Sequence, residues 1–185
     1  MKNFPVSYIC RNFNLRGGQS RIAWELGSRY SSEGGDVHFV GRRLKALEEK
    51  GGAFHCHRVF QPPRVFGGWF RFRSFAASSS NKAEKIVATN GGVVHGFGDS
   101  YRQDILTLGN VDWAYPKYIP GRVPEKAAVF VKSVALRDPR LRALVLVSNQ
   151  MKKDVMDYFP DFDEKNWTKI EEKNYENWKF VIYKK

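Results

Sequence analysis

Apolar positions in this chain come in short runs divided by glycine and polar clusters, and the runs alternate between two periods. Val6–Phe13 is rich in β-branched and aromatic residues and stops at the polar, glycine-containing Asn14–Gln19, which predicts a strand entering a turn. Beyond the turn the period changes. Ile22, Ala23, Leu26 and Tyr30 fall at helical spacing, Ser20 is a suitable N-cap, and Gly34-Gly35 closes the segment. Asp36 then leads into a second strand, Val37–Gly41. Strand, glycine turn, helix, strand is the βαβ unit of a parallel sheet.

The alternation continues. Leu44–Lys50 predicts a short helix before Gly51-Gly52, and Ala53–Phe60 a third strand. The pairs Pro62-Pro63 and Gly67-Gly68 predict a loop over Gln61–Phe75, with a helix following over Phe75–Ala88. Gly92–Phe97 and Asp104–Leu108 are apolar runs of strand length. Pro124–Leu136 opens with proline at a first helical position and keeps Ala127, Ala128, Val131, Val134 and Ala135 on one face. Arg142–Ser148 holds a continuous apolar run typical of a strand buried on both faces, and a helix over Asn149–Phe159, capped by Ser148 or Asn149, follows. Lys179–Tyr183 suits one last strand. The expected fold is α/β: a single Rossmann-like three-layer domain with a mostly parallel sheet of six or seven strands.

Composition narrows the partners. With 185 residues, 42% of them hydrophobic, the chain can bury one core but is short for two domains. Lys and Arg number 31 against 19 acids, a net charge of +12. Residues 160–185 carry as many acids as lysines, so the excess lies in residues 1–159, the expected domain; residues 160–185 read as a charged C-terminal extension. A surface so basic attracts phosphates, anionic lipid or nucleic acid. Cys10 and Cys56 suit buried free thiols of a reducing compartment, a disulfide is not expected, and too few ligands are present for a metal site. The first residues lack the pattern of a signal peptide, and no run approaches the roughly 20 apolar residues of a membrane span. The chain reads as cytoplasmic, with possible peripheral contact at the inner face of a membrane.

In a sheet of this kind ligands bind beyond the carboxyl ends of the strands. The residues there are Arg16, Gly17, Gly18 and Gln19 after the first strand; Gly96, Phe97, Gly98 and Asp99 after the fourth; Gly109, Asn110 and Asp112 after the fifth; and Ser148 and Asn149 after the sixth. Gly17-Gly18 admits two readings with equal weight: a tight turn needing positive φ, or a close backbone approach to an anionic or sugar ligand at a helix N-terminus. The turn matches neither the three-glycine dinucleotide fingerprint nor a phosphate-binding loop, so nicotinamide cofactors and ATP hydrolysis are disfavoured.

The run Cys10–Arg21, with Ala23-Trp24-Glu25-Leu26 and Asp36-Val37-His38-Phe39-Val40, resembles the opening of the N-terminal domain in retaining glycosyltransferases of the GT-B fold (glycosyl transferases group 1). The likeness continues through Val93–Gly98, Asp104–Thr107 and Leu146–Asp154 as an ordered series of short motifs. It implies the acceptor-side half of an enzyme that transfers a sugar from a nucleotide sugar in cell-surface glycan or glycolipid synthesis. The donor would bind mainly on a second Rossmann-like domain, and without that domain the chain is expected to be inactive. No resident cofactor is implied. The donor–acceptor cleft would hold Gly17, Gly18, Gln19, His95, Asn110, Asp112 and Ser148, with no catalytic residue assigned. Two histidines common in the family stand here as Phe97 and Gly109.

Other candidates are weighed on their own chemistry. His95 can hydrogen-bond a sugar or simply pack in its strand, and packing is slightly favoured. His55 and His57 share a strand face without further ligands nearby, and Asp99 and Asp112 suit turns or caps better than catalysis. Pro62–Phe75 combines Arg64, Arg71 and Arg73 with Phe66, Trp69, Phe70, Phe72 and Phe75 and no acid. Rings at headgroup depth beside phosphate-pairing guanidinium groups suit a membrane or a phosphorylated glycolipid, so Arg64, Trp69, Phe70, Arg71, Phe72 and Arg73 are expected to contact the acceptor or membrane. The competing function is a non-catalytic basic module for nucleic acid or anionic membrane, although no recognised nucleic-acid motif is present.

Overall fold

The computed structural model describes residues 4–13, 18–109, 114, 126–158, 167–175 and 178–184. Its elements are β1 (Val6–Ile9), α1 (Gly18–Ser32), β2 (Val37–Gly41), α2 (Lys45–Lys50), β3 (His55–Arg58), a 3₁₀ turn at Arg64–Phe66, α3 (Gly67–Asn90), β4 (Val93–Gly96), β5 (Ile105–Leu108), α4 (Lys126–Arg137), β6 (Ala143–Leu146), α5 (Asn149–Tyr158), β7 (Thr168–Tyr175) and β8 (Trp178–Lys184). One sheet runs in the order β3-β2-β1-β4-β5-β6-β8-β7. Strands β1 to β6 pair in parallel, and β8 pairs antiparallel with both β6 and β7.

The three-layer α/β fold follows from strands apolar on both faces. All four residues of β1 are buried. Tyr8, Val37 and Phe39 pack on one side with Ala23 of α1 and Leu47 of α2, while Ile9, Val40 and Val94 pack on the other with Phe75, Ala83 and Ile86 of α3. Period-2 alternation thus sends successive residues of each strand into different layers. Further along, Leu106, Leu108, Leu144 and Leu146 form a second core with Ala135, Met151, Val155 and Tyr183. Phe72 and Ala76 of α3 meet Ala127, Ala128 and Val131 of α4 and tie the two halves together.

Two elements depart from expectation. The helix expected from Phe75 begins at Gly67, so most of the segment read as loop is helical. Its buried stripe of Phe72, Phe75, Ala76, Ser79, Ser80, Ala83 and Ile86 overrides the weak propensity of Gly67-Gly68 and the serine run. Ser79 and Ser80 stay helical by donating their hydroxyls back to the Ala76 carbonyl, at 3.2 and 2.7 Å. The sheet has eight strands rather than six or seven, because the polar run Thr168–Tyr175 adds an edge strand. An edge needs only one buried face, and its lysines and glutamates blunt further pairing, so it carries little apolar signal. Residues 168–184, read as an extension, contribute two strands to the common sheet.

Candidate functional site

The strand order reverses between β1 and β4, the topological switch point at whose carboxyl end sheets of this kind hold their ligands. Parallel register brings the ends together: Ile9 is level with both Val40 of β2 and Gly96 of β4. Past the regular strands the β1–β2 pairing continues, since the Arg42 N–H donates to the Arg11 carbonyl (3.1 Å) and the Phe13 N–H to the Arg43 carbonyl (2.9 Å). Across the switch point the Arg11 backbone N–H donates to an Asp99 carboxylate oxygen at 3.0 Å. Asp99 thereby fastens the loop after β4 to the end of β1.

Gly18, the first residue of α1, has φ of +60°, and among the described residues nothing comes within 4 Å of where a Cβ would stand. Positive φ and an open approach therefore coincide at this residue, so the two readings of the glycine turn are compatible; Gly17 and Arg16 lie outside the described residues. Gln19 reaches across to β5. A Cβ on Gly109 would lie 2.8 Å from its Cγ, so the bare backbone of Gly109 is what lets Gln19 lie over the strand end. Gln19 Nε2 and Asn12 Oδ1 are buried without a hydrogen-bond partner among the described residues. A buried orphan amide costs about 1–3 kcal/mol unless something else satisfies it, so both atoms are prepared for a polar ligand or an ordered water.

The other expected cleft residues divide. Ser148 receives the Met151 N–H on its hydroxyl at 3.1 Å and caps α5 at the rim beyond β6. His95 is buried within β4, stacked on Phe97 at 4.8 Å between centroids and joined through Nε2 to the Thr107 hydroxyl at 2.8 Å. Burial pushes its pKa down to about 4, so the ring is neutral near pH 7. The structure thus places His95 below the rim, in the layer facing α1. Phe97 is fully buried, so the position where the resemblance places a histidine serves the core. Asn110 and Asp112 lie outside the described residues.

The arginine–aromatic segment also divides. Trp69 and Phe70 are exposed, as are Phe60, Val65 and Phe66 nearby. Phe72 is buried against α4, with the Arg11 guanidinium 4.4 Å above its ring. It is a core residue rather than a surface contact, and its burial stabilises the fold by about 1.5–3 kcal/mol. Arg73 lies over Trp69 and Phe130 and donates to the Tyr101 hydroxyl at 3.3 Å. Arg71 is half-buried, with its Nε–H on the Pro62 carbonyl at 2.9 Å.

Sequence reasoning passed over several residues that the fold brings to this rim. Arg11, Arg42 and Arg43 arrive through the β1–β2 register. Lys132 of α4 is buried, and its Cε would lie 2.8 Å from a Cβ on Gly98, so its stem crosses the loop after β4. The signal available for it was a lysine among the apolar positions Ala128, Val131 and Ala135. On β2 and β3, and just before β2, His38, His55, His57 and Asp36 lie together, with His38 Nδ1 at 2.9 Å from His57 Nε2. The ring nitrogens of His38 are engaged with these neighbours, and no cluster able to hold a metal is found among the described residues.

This arrangement defines an open, mostly parallel α/β domain with a topological switch point between β1 and β4. A solved structure with the same architecture is the crystal structure of WaaG, a glycosyltransferase involved in lipopolysaccharide biosynthesis, at a TM-score of 0.63 and 14% sequence identity. The match covers 84% of this chain and 42% of that one, so the chain spans less than half the length of this neighbour. The likeness shows a Rossmann-like fold shared with a glycosyltransferase. No family model matches the chain, and no curated protein matches it. No described helix is long and apolar enough to cross a membrane.

Proposed function

We propose that this chain is the acceptor-side domain of a retaining glycosyltransferase that uses a nucleotide sugar to build a cell-surface glycan or glycolipid. The observation that carries the reading is the rim past the carboxyl ends of the strands. There Gly18 opens α1 at positive φ, and Gln19, its amide without a hydrogen-bond partner among the described residues, lies over the bare end of β5 at Gly109. Such a wall offers hydrogen bonds to sugar hydroxyls without a bulky side chain in the way. The ordered motifs that resemble those of group 1 glycosyltransferases, and the fold likeness to a glycosyltransferase of lipopolysaccharide biosynthesis, support the same reading.

In this reading Gly17, Gly18, Gln19, Asn110, Asp112 and Ser148 line the cleft, and His95 underlies it. The donor's nucleotide is held mainly by a second Rossmann-like domain that closes over the crevice, and no cofactor is needed. The acceptor is an anionic or lipid-linked glycan, presented where Arg64, Trp69, Phe70 and Arg71 meet a cytoplasmic membrane face. The chain is mixed with nucleotide sugars and lipid-linked acceptors, with and without candidate donor domains, and transfer is followed with a radiolabelled sugar. Transfer should require the second domain and fall about 5- to 150-fold in Gln19→Ala, the equivalent of the roughly 1–3 kcal/mol that one unmade buried hydrogen bond costs. Robust transfer by the chain alone would overturn the requirement for a donor domain. A salt-sensitive affinity for single-stranded RNA with no transfer in any mixture would favour the basic-module reading instead.

A further inference from the structure

Five arginines from four separate segments lie near enough along the rim for their charges to act on Arg42, the Arg11 guanidinium resting over the Phe72 ring. Arg11 follows β1, Arg42 and Arg43 follow β2, Arg64 lies in the 3₁₀ turn, and Arg71 lies in the second turn of α3. The β1–β2 backbone bonds fix the first three, and the bond from Arg71 Nε to Pro62 fixes a fourth beside the turn that carries Arg64. The stem of Arg42 is partly buried and its charge faces those of Arg43, Arg71, Arg64 and Arg11, which together hold its pKa below the ordinary guanidinium range. Among the described residues none of the five has an ion pair with a carboxylate. The nearby Asp99 spends one carboxylate oxygen on the Arg11 backbone N–H.

Beside this set runs an apolar groove of about 490 Å³, walled by Phe60, Pro62, Phe66 and Phe70 and floored by Ser74, Ala77 and Ser78 of α3. Two of the five arginines, Arg64 and Arg71, stand on the same short stretch of chain as its aromatic wall. Like charges held together on an ordered backbone repel, and each guanidinium offers a planar fork that matches phosphate oxygens. Exposed rings next to such a cluster match a ligand whose phosphate continues into hydrocarbon.

We propose that the rim formed by Arg11, Arg42, Arg43, Arg64 and Arg71, with the adjoining Phe60–Phe66–Phe70 groove, binds the phosphate headgroup of a membrane-borne phosphorylated lipid. This deepens the acceptor-side reading above and rests on it for biological meaning, while the binding itself requires no donor domain. A phosphomonoester or diphosphate, carrying more than one charge on a compact group, engages several forks at once. A phosphodiester headgroup of the same total charge per vesicle does so less well. The groove takes the first part of the chain that follows the phosphate.

The test is vesicle flotation of the full chain at physiological salt. Neutral phosphatidylcholine vesicles are compared with vesicles carrying phosphatidylserine or a phosphomonoester lipid at matched surface charge, and inorganic pyrophosphate is the soluble probe. The phosphomonoester vesicles should bind at least about tenfold tighter than the phosphatidylserine vesicles, and pyrophosphate should compete. Arg42→Gln with Arg71→Gln should remove that preference. Phe66→Ser with Phe70→Ser should weaken vesicle binding while leaving pyrophosphate binding intact, with circular dichroism melts verifying the fold of each variant. Equal binding to both anionic vesicles, a preference that survives the arginine substitutions, or tighter binding to single-stranded RNA than to any vesicle would overturn the proposal. Selective phosphate-lipid binding without sugar transfer in the mixing assay would support the site while contradicting the glycosyltransferase reading.

Discussion

Both ends of the sheet carry a group of arginines, and the two groups are built in opposite ways. At the amino end Arg102 grips both carboxylate oxygens of Glu84 at 2.8 and 2.9 Å, and Arg140 reaches Glu84 at 2.6 Å and Asp138 at 3.1 Å. Those bonds staple α3 to the loops that enter β5 and β6. They raise the pKa of Arg140 above its ordinary range, through Asp138 first and then Glu84. At the carboxyl end Arg11, Arg42, Arg43, Arg64 and Arg71 face one another without such partners among the described residues, and Arg42 is shifted the other way. Charge that closes on itself secures the fold, whereas charge left open on an ordered backbone is available to a ligand. The difference separates a structural end of the sheet from a binding end.

Gly92→Ala should give the largest effect, and it strikes the structural end. Gly92 has φ of +102°, and a Cβ there would lie 2.0 Å from the Pro5 carbonyl oxygen, a backbone atom that cannot swing aside. The same oxygen accepts the Val93 N–H at 3.0 Å and starts the β1–β4 pairing. Clash and backbone strain together should cost about 3 kcal/mol or more, measured by urea denaturation. Phosphate binding by the fraction that folds should be unchanged. A variant as stable as the parent would show that the amino end is not where this sheet is pinned.

Acid should come next, and it acts on the fold rather than on the arginines. Burial lowers His95 to about 4 from the ordinary 6.5. Below pH 6.5 the unfolded chain takes up a proton that the folded chain refuses, so stability present above pH 6.5 is lost as the pH falls toward 4. For this buried ring the loss is on the order of 3 kcal/mol. Burial alone would raise the Glu84 carboxyl, but hydrogen bonds from Arg140 and Arg102 outweigh it and keep the group below its ordinary value. Its stabilisation therefore fades at still lower pH, as the carboxylate is protonated. Denaturation midpoints from pH 7 to 2, with the His95 imidazole followed by NMR, check both. A flat profile between pH 7 and 5 would mean that the folded state accommodates the His95 proton.

What the sequence revealed depended on how local the signal was. Helix α1 after the first strand, the strand around Leu144 and the Ser148 cap were legible, because each rests on neighbouring residues with one physical requirement. The start of α3 was not, since prolines and glycines are local signals and the stripe from Phe72 to Ile86 takes its stability from β1, β2 and α4. The site split the same way. Gly18 and Gln19 could be placed beyond the first strand by topology alone, whereas the neighbourhood of Arg11, Arg42 and Arg43 exists only through the register of Ile9 with Val40. Exposure was illegible too: Phe72 sits in an aromatic cluster with Phe70, yet one is core and the other surface.

Glu84→Gln tests the staple directly. Glu84 is the shared acceptor of two guanidinium groups at the edge of solvent, so losing its charge should cost about 1 kcal/mol, a shift of a few degrees in melting temperature for a domain of this size. Selectivity for phosphate lipids should not move. A change in vesicle preference would mean that the two arginine groups are coupled through α3, which carries Glu84 and Arg71 alike.

Arg42→Gln should have the smallest effect on stability and the opposite sign. The substitution removes one of several mutually repelling charges, and a partly exposed glutamine fills the place without stranding a carboxylate, so stability should stay within about 0.5 kcal/mol of the parent or rise slightly. The consequence appears when an anion is added. A ligand that binds only the folded state stabilises by RT ln(1 + [L]/Kd), about 1.4 kcal/mol at ten times Kd. Pyrophosphate should therefore raise the melting temperature of the parent beyond what sodium chloride does at equal ionic strength, and the excess should shrink in Arg42→Gln while remaining whole in Glu84→Gln. If the excess fell in Arg42→Gln and rose by as much in Glu84→Gln, pyrophosphate would be sensing net charge, and the open group at the carboxyl end would be no more a site than the closed one opposite.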